Sequence, residues 1–270
     1  MPIKFDGRKI RDEILSQLRD RISRLKTKPT LAVIWVGENP VSEKYIRSKQ
    51  RAAKEIGVNF KLYQFSALAS EADIVNKIKE LNKDKNIIGI LLQMPLPNKI
   101  DRQKVIKAIS AKKDIDGLRF CAGFESDFQP PVVLAILEAL NGVDFGQNKV
   151  AIVGRGFLVG TPLARVLLNK IKRLKVADIE TADLAKITRN ADIIISATGQ
   201  AGLITVEMVK NGVVLVDAGT AEISGKLRGD IDQGACKKSS FYTPVPCGIG
   251  PVTLAMLYKN LIQLAEKSDK

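Results

Sequence analysis

Residues Val150–Leu168 read VAIVGRGFLVGTPLARVLL. The run into Val153 is continuously apolar, as expected of a strand buried on both faces of a parallel sheet. Glycines at 154, 156 and 160 mark a tight turn, and a helix is expected from Thr161 to Ile171. Such a turn lets backbone N–H groups approach a pyrophosphate, which the positive end of the helix dipole favours. The spacing is G-x-G-x-x-x-G, one residue longer than the commonest dinucleotide fingerprint. With a strand before it and a helix after it, the stretch predicts nicotinamide dinucleotide binding through Gly154, Arg155 and Gly156.

The choice of dinucleotide rests on two opposed signals. Arg155 can pair with a 2′-phosphate, which favours NADP. Asp178 and Glu180 follow the next strand, where an acidic group accepts from a ribose 2′-hydroxyl and favours NAD. The reading leans to NADP and leaves NAD open.

Outward from this stretch, strands and helices alternate, which predicts an α/β fold built on parallel sheet. Toward the amino terminus, Ile10, Ile14, Leu18, Ile22 and Leu25 recur at helical spacing. Leu31–Val36 is a continuous apolar run and reads as a buried strand. Ser42 is expected to cap a helix that runs to Ile56 and stops at Gly57. A strand near Phe60–Phe65, a helix near Glu71–Leu81, a strand Ile87–Leu92 and a helix near Arg102–Ile109 follow. Pro130-Pro131 starts a further helix. Beyond the glycine turn come strands Arg173–Ala177, Asp192–Ala197 and Val213–Val216. A helix capped by Thr181 and a short one near Val206–Val209 lie between them. The last helix is expected from Pro251 to Glu266, with proline in its first position.

Composition narrows the function. Histidine is absent, which removes Ser-His-Asp and Cys-His machinery and the commonest metal ligand. General acid–base work near neutral pH must fall to Lys, Tyr, Asp, Glu or Cys. Three cysteines with no C-x-x-C pair argue against a disulfide framework or a zinc site, so no metal is expected. The amino terminus does not read as a signal peptide, and no apolar run nears the ~20 residues of a membrane helix. A cytoplasmic protein with no membrane partner is expected. The net charge of +14 asks for anionic partners, but the basic residues are dispersed and no nucleic-acid motif accompanies them.

Four separated segments carry a more specific signal. They are VGENPVSEKYIRSKQRAAKEIG (Val36–Gly57), GILLQMPLP (Gly89–Pro97), KKDIDG (Lys112–Gly117) and TPVPCGIGPVT (Thr243–Thr253). Together they resemble the bifunctional methylenetetrahydrofolate dehydrogenase/cyclohydrolase family, over nearly the whole chain. The resemblance implies two α/β domains flanking a cleft, the second of Rossmann type, with the last helix returning to the first. On that basis residues 1–125, completed by the helix 250–270, form a folate-binding catalytic domain, and 126–249 bind the dinucleotide. It also implies a homodimer and a place in one-carbon metabolism and purine biosynthesis.

The family's Y-x-x-x-K matches Tyr45 and Lys49, whose i, i+4 spacing places both on one helix face. Its glutamine matches Gln93 at a strand's carboxyl end, and the second aspartate of D-x-D-G matches Asp116, which by resemblance holds the pterin ring. Asp114 is read as a turn former. By resemblance Pro246, Gly248, Gly250, Pro251 and Thr253 line the folate site, and VDAGT, ending at Thr220, touches the nicotinamide end. The implied chemistry oxidises 5,10-methylene-tetrahydrofolate to the methenyl form, which is then hydrolysed to 10-formyl-tetrahydrofolate. Lys49 would transfer protons in hydrolysis, Gln93 would orient it, and Tyr45 would pack on the folate.

The chain departs from the family pattern at three places. FQPPVV (Phe128–Val133) stands where P-C-T-P is usual, Asp178-Ile179 replaces a His-Ser, and Cys247 replaces a glycine. Two other readings compete: a Rossmann dehydrogenase of a small hydroxy acid using Lys49 and Asp116, and a basic nucleic-acid-binding protein.

Overall fold

The structure, a computed structural model, describes residues 1–168 and 170–269. The chain begins with β1 (Ile3–Lys4), α1 (Gly7–Ile22), β2 (Thr30–Val36), α2 (Pro40–Ile56), β3 (Asn59–Phe65) and α3 (Glu71–Lys83). It continues through β4 (Ile87–Leu92), α4 (Arg102–Ala108), α5 (Leu118–Cys121) and α6 (Pro131–Ala139). Then come β5 (Val150–Val153), α7 (Gly160–Leu167), β6 (Leu174–Ala177), α8 (Leu184–Arg189) and β7 (Ile193–Ser196). A 3-10 turn at Val206–Met208 leads to β8 (Val214–Asp217), β9 (Ala221–Ile223), β10 (Lys226–Arg228), α9 (Gln233–Lys238), β11 (Phe241–Tyr242) and α10 (Ile249–Ser268).

Two compact units result. One comprises Asp12–Pro131 and Leu254–Lys270, and is built on a three-stranded parallel sheet of order β3-β2-β4. All seven residues of central β2 are buried, which accounts for its unbroken apolar run. Leu31 and Val33 of this strand share a core cluster with Ala53 and Ile56 of α2 and Tyr258 and Leu261 of α10.

The other unit comprises Met1–Arg11 and Val132–Thr253. Its six strands are parallel in the order β1-β11-β8-β7-β5-β6. The order reverses at β5, which has β6 on one side and β7 on the other. In an open α/β sheet that switch point, at the strands' carboxyl ends, is where a ligand crevice forms. The first eleven residues were expected with the first half of the chain. They group here because β1 pairs with β11, Ile3 opposite Phe241.

Several boundaries differ from expectation for local reasons. Asn39, not Ser42, caps α2: its side chain accepts from the N–H groups of Val41 at 2.9 Å and Ser42 at 3.0 Å. Pro40, whose missing N–H costs nothing in a first turn, allows the earlier start. Gly57 stops the helix in the left-handed region, φ 86°, as expected. Asp183, not Thr181, caps α8. The last helix begins at Ile249, so Pro251 sits inside its first turn, where N–H groups lack helical partners in any case. The helix after the glycine turn ends at Leu167, whereas the expected span to Ile171 includes position 169, outside the described residues. The two-residue strands β1 and β11, the β9–β10 hairpin and the short helices α5 and α9 were not anticipated.

Candidate active site

Lys49 lies on α2, four residues after Tyr45. Tyr45 is exposed, while Lys49 is half-buried. The Lys49 Nζ donates to Gln93 Oε1 at 2.9 Å. Gln93 is itself held: its backbone N–H donates to the Ile34 carbonyl at 2.8 Å, and its Nε2 donates to the Met94 carbonyl at 2.7 Å. With the amide's donor committed, its acceptor oxygen is left for the lysine. Burial pushes the Lys49 ammonium below its ordinary range, and the charge of Asp116 partly opposes that. Asp116 feels the converse: burial raises its carboxyl, and Lys49 pulls it back. The structure therefore brings Lys49, Gln93 and Asp116 into one electrostatically coupled group.

Asp114 is different. It is fully buried, and its carboxylate accepts from the backbone N–H of Leu118 at 3.1 Å and of Arg119 at 2.7 Å. It holds the start of α5 and thereby the turn that carries Asp116, in keeping with its reading as a turn former. Burial pushes its carboxyl up to about 6.

The glycine turn has the geometry that its spacing predicts. Gly154 has φ 104°, and a Cβ there would stand 2.6 Å from the Ala197 carbonyl oxygen at the end of β7. A Cβ on Gly160 would stand 1.8 Å from the Gly154 carbonyl oxygen. A Cβ on Gly156 would meet nothing within 4 Å, so the turn's backbone there faces open space. The start of α7 has no side-chain cap at Val159; its Thr161 N–H donates instead to the Gly156 carbonyl at 3.1 Å, which ties the turn to the helix. The residues present thus fit a dinucleotide pyrophosphate.

Arg155 and Asp178, opposed in the sequence, are partners in the fold. Arg155 Nη1 donates to Asp178 Oδ2 at 3.2 Å, and both are at the surface end of their loops. Thr181 and the N–H of Glu180 donate to Asp178 Oδ1. Arg155 and these donors together hold the Asp178 carboxyl below its usual range.

The VDAGT segment places Thr220 at the surface and Asp217 in the interior. Asp217 accepts from the N–H groups of Gly219, Asp230 and Ile231 at 3.1, 3.2 and 3.0 Å. Fully buried Asp230 accepts from Ser196 Oγ at 2.8 Å and the Thr198 N–H at 2.7 Å, while its Oδ1 has no hydrogen-bond partner. Burial, then the like charge of Asp230, pushes the Asp217 carboxyl up to about 7. Neither aspartate stood out in the sequence, although a carboxylate closing the apolar run VVLV is a usable signal.

A stability prediction follows, with its sign set by proton linkage. Asp217 holds its proton more tightly folded than unfolded, where its value is about 3.9. Its stabilising contribution is complete below about pH 4 and lost as pH rises toward about 7. Asp230→Asn removes the like charge and should move that loss to lower pH. Denaturant midpoints taken from pH 5 to 8 measure the window; coincident wild-type and variant curves would contradict the pairing.

The segment Thr243–Thr253 is held by close backbone approach. Thr243 Oγ1 accepts from the Asp217 N–H at 2.8 Å, and a Cβ on Gly7 would stand 1.9 Å from the Gly248 carbonyl oxygen. Pro246 follows a cis peptide bond. Gly250 faces open space, Pro251 is half-buried, and Thr253 Oγ1 donates to the Ile249 carbonyl at 3.0 Å. Cys247 has φ 83°, a left-handed conformation that disfavours any side chain. That strain explains why glycine suits the position. Cys247→Gly should raise stability by about 1 kcal/mol, the relieved strain less the extra freedom of unfolded glycine. A higher denaturant midpoint checks it, and an unchanged or lower one refutes it.

Two family models cover most of the chain. The catalytic domain of tetrahydrofolate dehydrogenase/cyclohydrolase matches residues 5–116, and the NAD(P)-binding domain of the same family matches residues 129–269. A Bifunctional protein FolD of Lactobacillus gasseri is 41% identical over 275 residues, covering 97% of each chain. The crystal structure of the bifunctional FolD methylenetetrahydrofolate dehydrogenase/cyclohydrolase of Campylobacter jejuni superposes with a TM-score of 0.94 at 36% identity, covering 99% of each chain. The Trypanosoma brucei methylenetetrahydrofolate dehydrogenase-cyclohydrolase, solved with NADP and an inhibitor, gives 0.92 at 30% identity, covering 99% of this chain and 98% of that one. With the glycine turn on one parallel sheet and the Lys49–Gln93 pair on the other, the chain belongs to the tetrahydrofolate dehydrogenase/cyclohydrolase family.

Proposed function

We propose that the protein oxidises 5,10-methylene-tetrahydrofolate to the methenyl form with NADP, and hydrolyses that product to 10-formyl-tetrahydrofolate. The observation that carries the second activity is the hydrogen bond from Lys49 to an oriented Gln93, in a partly desolvated site facing the charge of Asp116. Family membership disfavours both the hydroxy-acid and the nucleic-acid readings. Residues Asp12–Pro131 with the carboxyl-terminal helix serve as the folate-binding unit, and the six-stranded unit serves the dinucleotide. In this reading the protein acts in the cytoplasm as a homodimer, in one-carbon metabolism that feeds purine biosynthesis, with no nucleic-acid or membrane partner. No helix among the described residues is long and apolar enough to cross a membrane.

Bound NADP supplies the hydride acceptor. The chain's part in that step is orientation: Gly154, Arg155, Gly156 and Thr220 hold the dinucleotide, while Pro246, Gly248, Gly250, Pro251 and Thr253 line the folate. Asp116 accepts from pterin N–H donors, and Tyr45 packs on the folate ring. Hydrolysis needs proton transfers. A lysine whose ammonium is disfavoured by burial is neutral part of the time and can take a proton from the attacking water. It can return the proton to the departing ring nitrogen.

The test mixes the protein with 5,10-methylene-tetrahydrofolate and either NADP or NAD, and follows methenyl formation and decay by absorbance. Formation without decay would remove the hydrolase, and no formation with either dinucleotide would remove the whole reading. Cofactor choice has its own test. Asp178→Ala frees Arg155 for a 2′-phosphate and removes an acceptor for the ribose hydroxyl. The ratio of kcat/KM for NADP over NAD should rise about two- to fivefold, the range of an exposed ion pair. An unchanged or falling ratio would show that the pair does not govern selection.

A further inference from the structure

Tyr258 and Asn260 sit on the last helix, far in sequence from Lys49 and Asp116. Tyr258 is fully buried, yet carries a hydroxyl. A buried hydroxyl is costly unless it is hydrogen-bonded. Its hydroxyl donates at 2.5 Å to the backbone carbonyl of Lys49 itself. A carbonyl has two lone pairs, so a helix carbonyl can accept this second donor. Burial also raises the phenol well above its ordinary range, which keeps the donor proton in place. Asn260 is buried as well. Its Nδ2 donates to the Ile115 carbonyl at 2.9 Å and to the Gln129 carbonyl at 3.2 Å. Ile115 is the residue before Asp116.

Two residues apart on a helix point in roughly opposite directions, about 200° around the axis. One helix therefore reaches α2 on one side with Tyr258, and the turn bearing Asp116 on the other with Asn260. The contact is not a generic apolar packing contact. Tyr258 donates to the backbone of one member of the charged pair, and Asn260 to the residue before the other as well as to Gln129. Around them the helix is fixed by the core: Leu257, Leu261 and Ile262 share a cluster with Val33, Ala53 and Ile115.

We infer that Tyr258 and Asn260 are positioning residues, which set the distance between Lys49 and Asp116 by anchoring the backbone of each to the same rigid helix. The inference rests on the proposed role of Lys49 in hydrolysis. Loosening either anchor lets the pair drift and admits water to Lys49, whose amine then returns toward its ordinary range.

The test uses the full chain and its Tyr258→Phe variant, which keeps the ring and removes only the donor, with Asn260→Leu as a second variant of similar volume. Two readouts are taken. One is the pH profile of methenyl-tetrahydrofolate hydrolysis. The other is the pH dependence of Lys49 labelling by an amine-reactive acylating reagent, read by peptide mass spectrometry, which requires no catalysis. In a folded variant, hydrolysis should fall about tenfold, a modest cost for displaced catalytic geometry. The labelling midpoint should move to higher pH by roughly half a unit or more. A labelling shift with hydrolysis unchanged supports the anchoring and removes instead the catalytic role of Lys49. Labelling and hydrolysis profiles that coincide with wild type in whichever variant folds would overturn the inference.

Discussion

Lys49→Met should abolish hydrolysis of methenyl-tetrahydrofolate while leaving most of the hydride transfer. Methionine is close to lysine in length and volume, so the packing of α2 is kept. What disappears is the Nζ, its 2.9 Å bond to Gln93, and the positive charge facing Asp116. The hydrolytic step needs a group that takes and returns a proton, and losing one costs about 10²- to 10⁴-fold. The oxidative step needs the bridge carbon oriented against the dinucleotide. Its product cation is stabilised by the folate nitrogens themselves, so it should lose less than about tenfold. In the wild-type protein, hydrolysis should increase with pH as the neutral amine forms, and this limb should begin below the ordinary lysine range because burial lowers the group. Absorbance at the methenyl band reports both steps in one trace, since the variant should accumulate the intermediate that the wild type consumes. Equal loss of both activities in a folded Lys49→Met protein would contradict this division of roles.

The second large effect separates two glycines of the same turn. Gly160→Ala should cost roughly 3 kcal/mol of stability or more, because its new methyl would stand 1.8 Å from a backbone oxygen that cannot rotate aside. Gly156→Ala should fold with stability within about 0.5 kcal/mol of wild type, since nothing lies within 4 Å of the added carbon. It should nonetheless weaken NADP binding about tenfold or more, equivalent to about 1.4 kcal/mol, if the pyrophosphate approaches the open face of the turn. Thermal unfolding and calorimetric titration with NADP distinguish the cases. Undiminished NADP affinity in Gly156→Ala would mean that the dinucleotide does not lie against this turn. An unperturbed Gly160→Ala would mean that α7 does not approach the turn so closely.

Much of the scaffold was legible because its signals are local. β2, β4, β5 and β8 are apolar runs of strand length, and each was read within a residue or so of its observed bounds. Gly57 ended α2 as its φ of 86° requires. Local competition between neighbouring caps was harder to resolve: Asn39 and Ser42 are both good acceptors, and only the placement of Pro40 decides between them. The two-residue strands β1 and β11 were not legible, because β1 is a strand only through β11, more than two hundred residues away, and β11 only through pairing with β1 and β8 on either side.

The site divides in the same way. The sequence by itself determined the kinds of group available: no histidine, a glycine turn after a buried strand, and a tyrosine and lysine one helical turn apart. It also carried the family's four segments in order. Only the tertiary structure decided which charges meet. Arg155 and Asp178, which argue for different dinucleotides when read separately, neutralise one another across two loops. Lys49 and Asp116 share a desolvated site, and Tyr258 and Asn260 hold the backbone beneath them from the far end of the chain. Periodicity and capping act over a few residues, so they are written in the local sequence. The electrostatics of a site depend on distance and desolvation between segments remote in sequence, which only the packed fold sets. The glycine turn of Val150–Leu168 announces a dinucleotide; its preference between NADP and NAD hangs on an ion pair 23 residues long in sequence and 3.2 Å long in space.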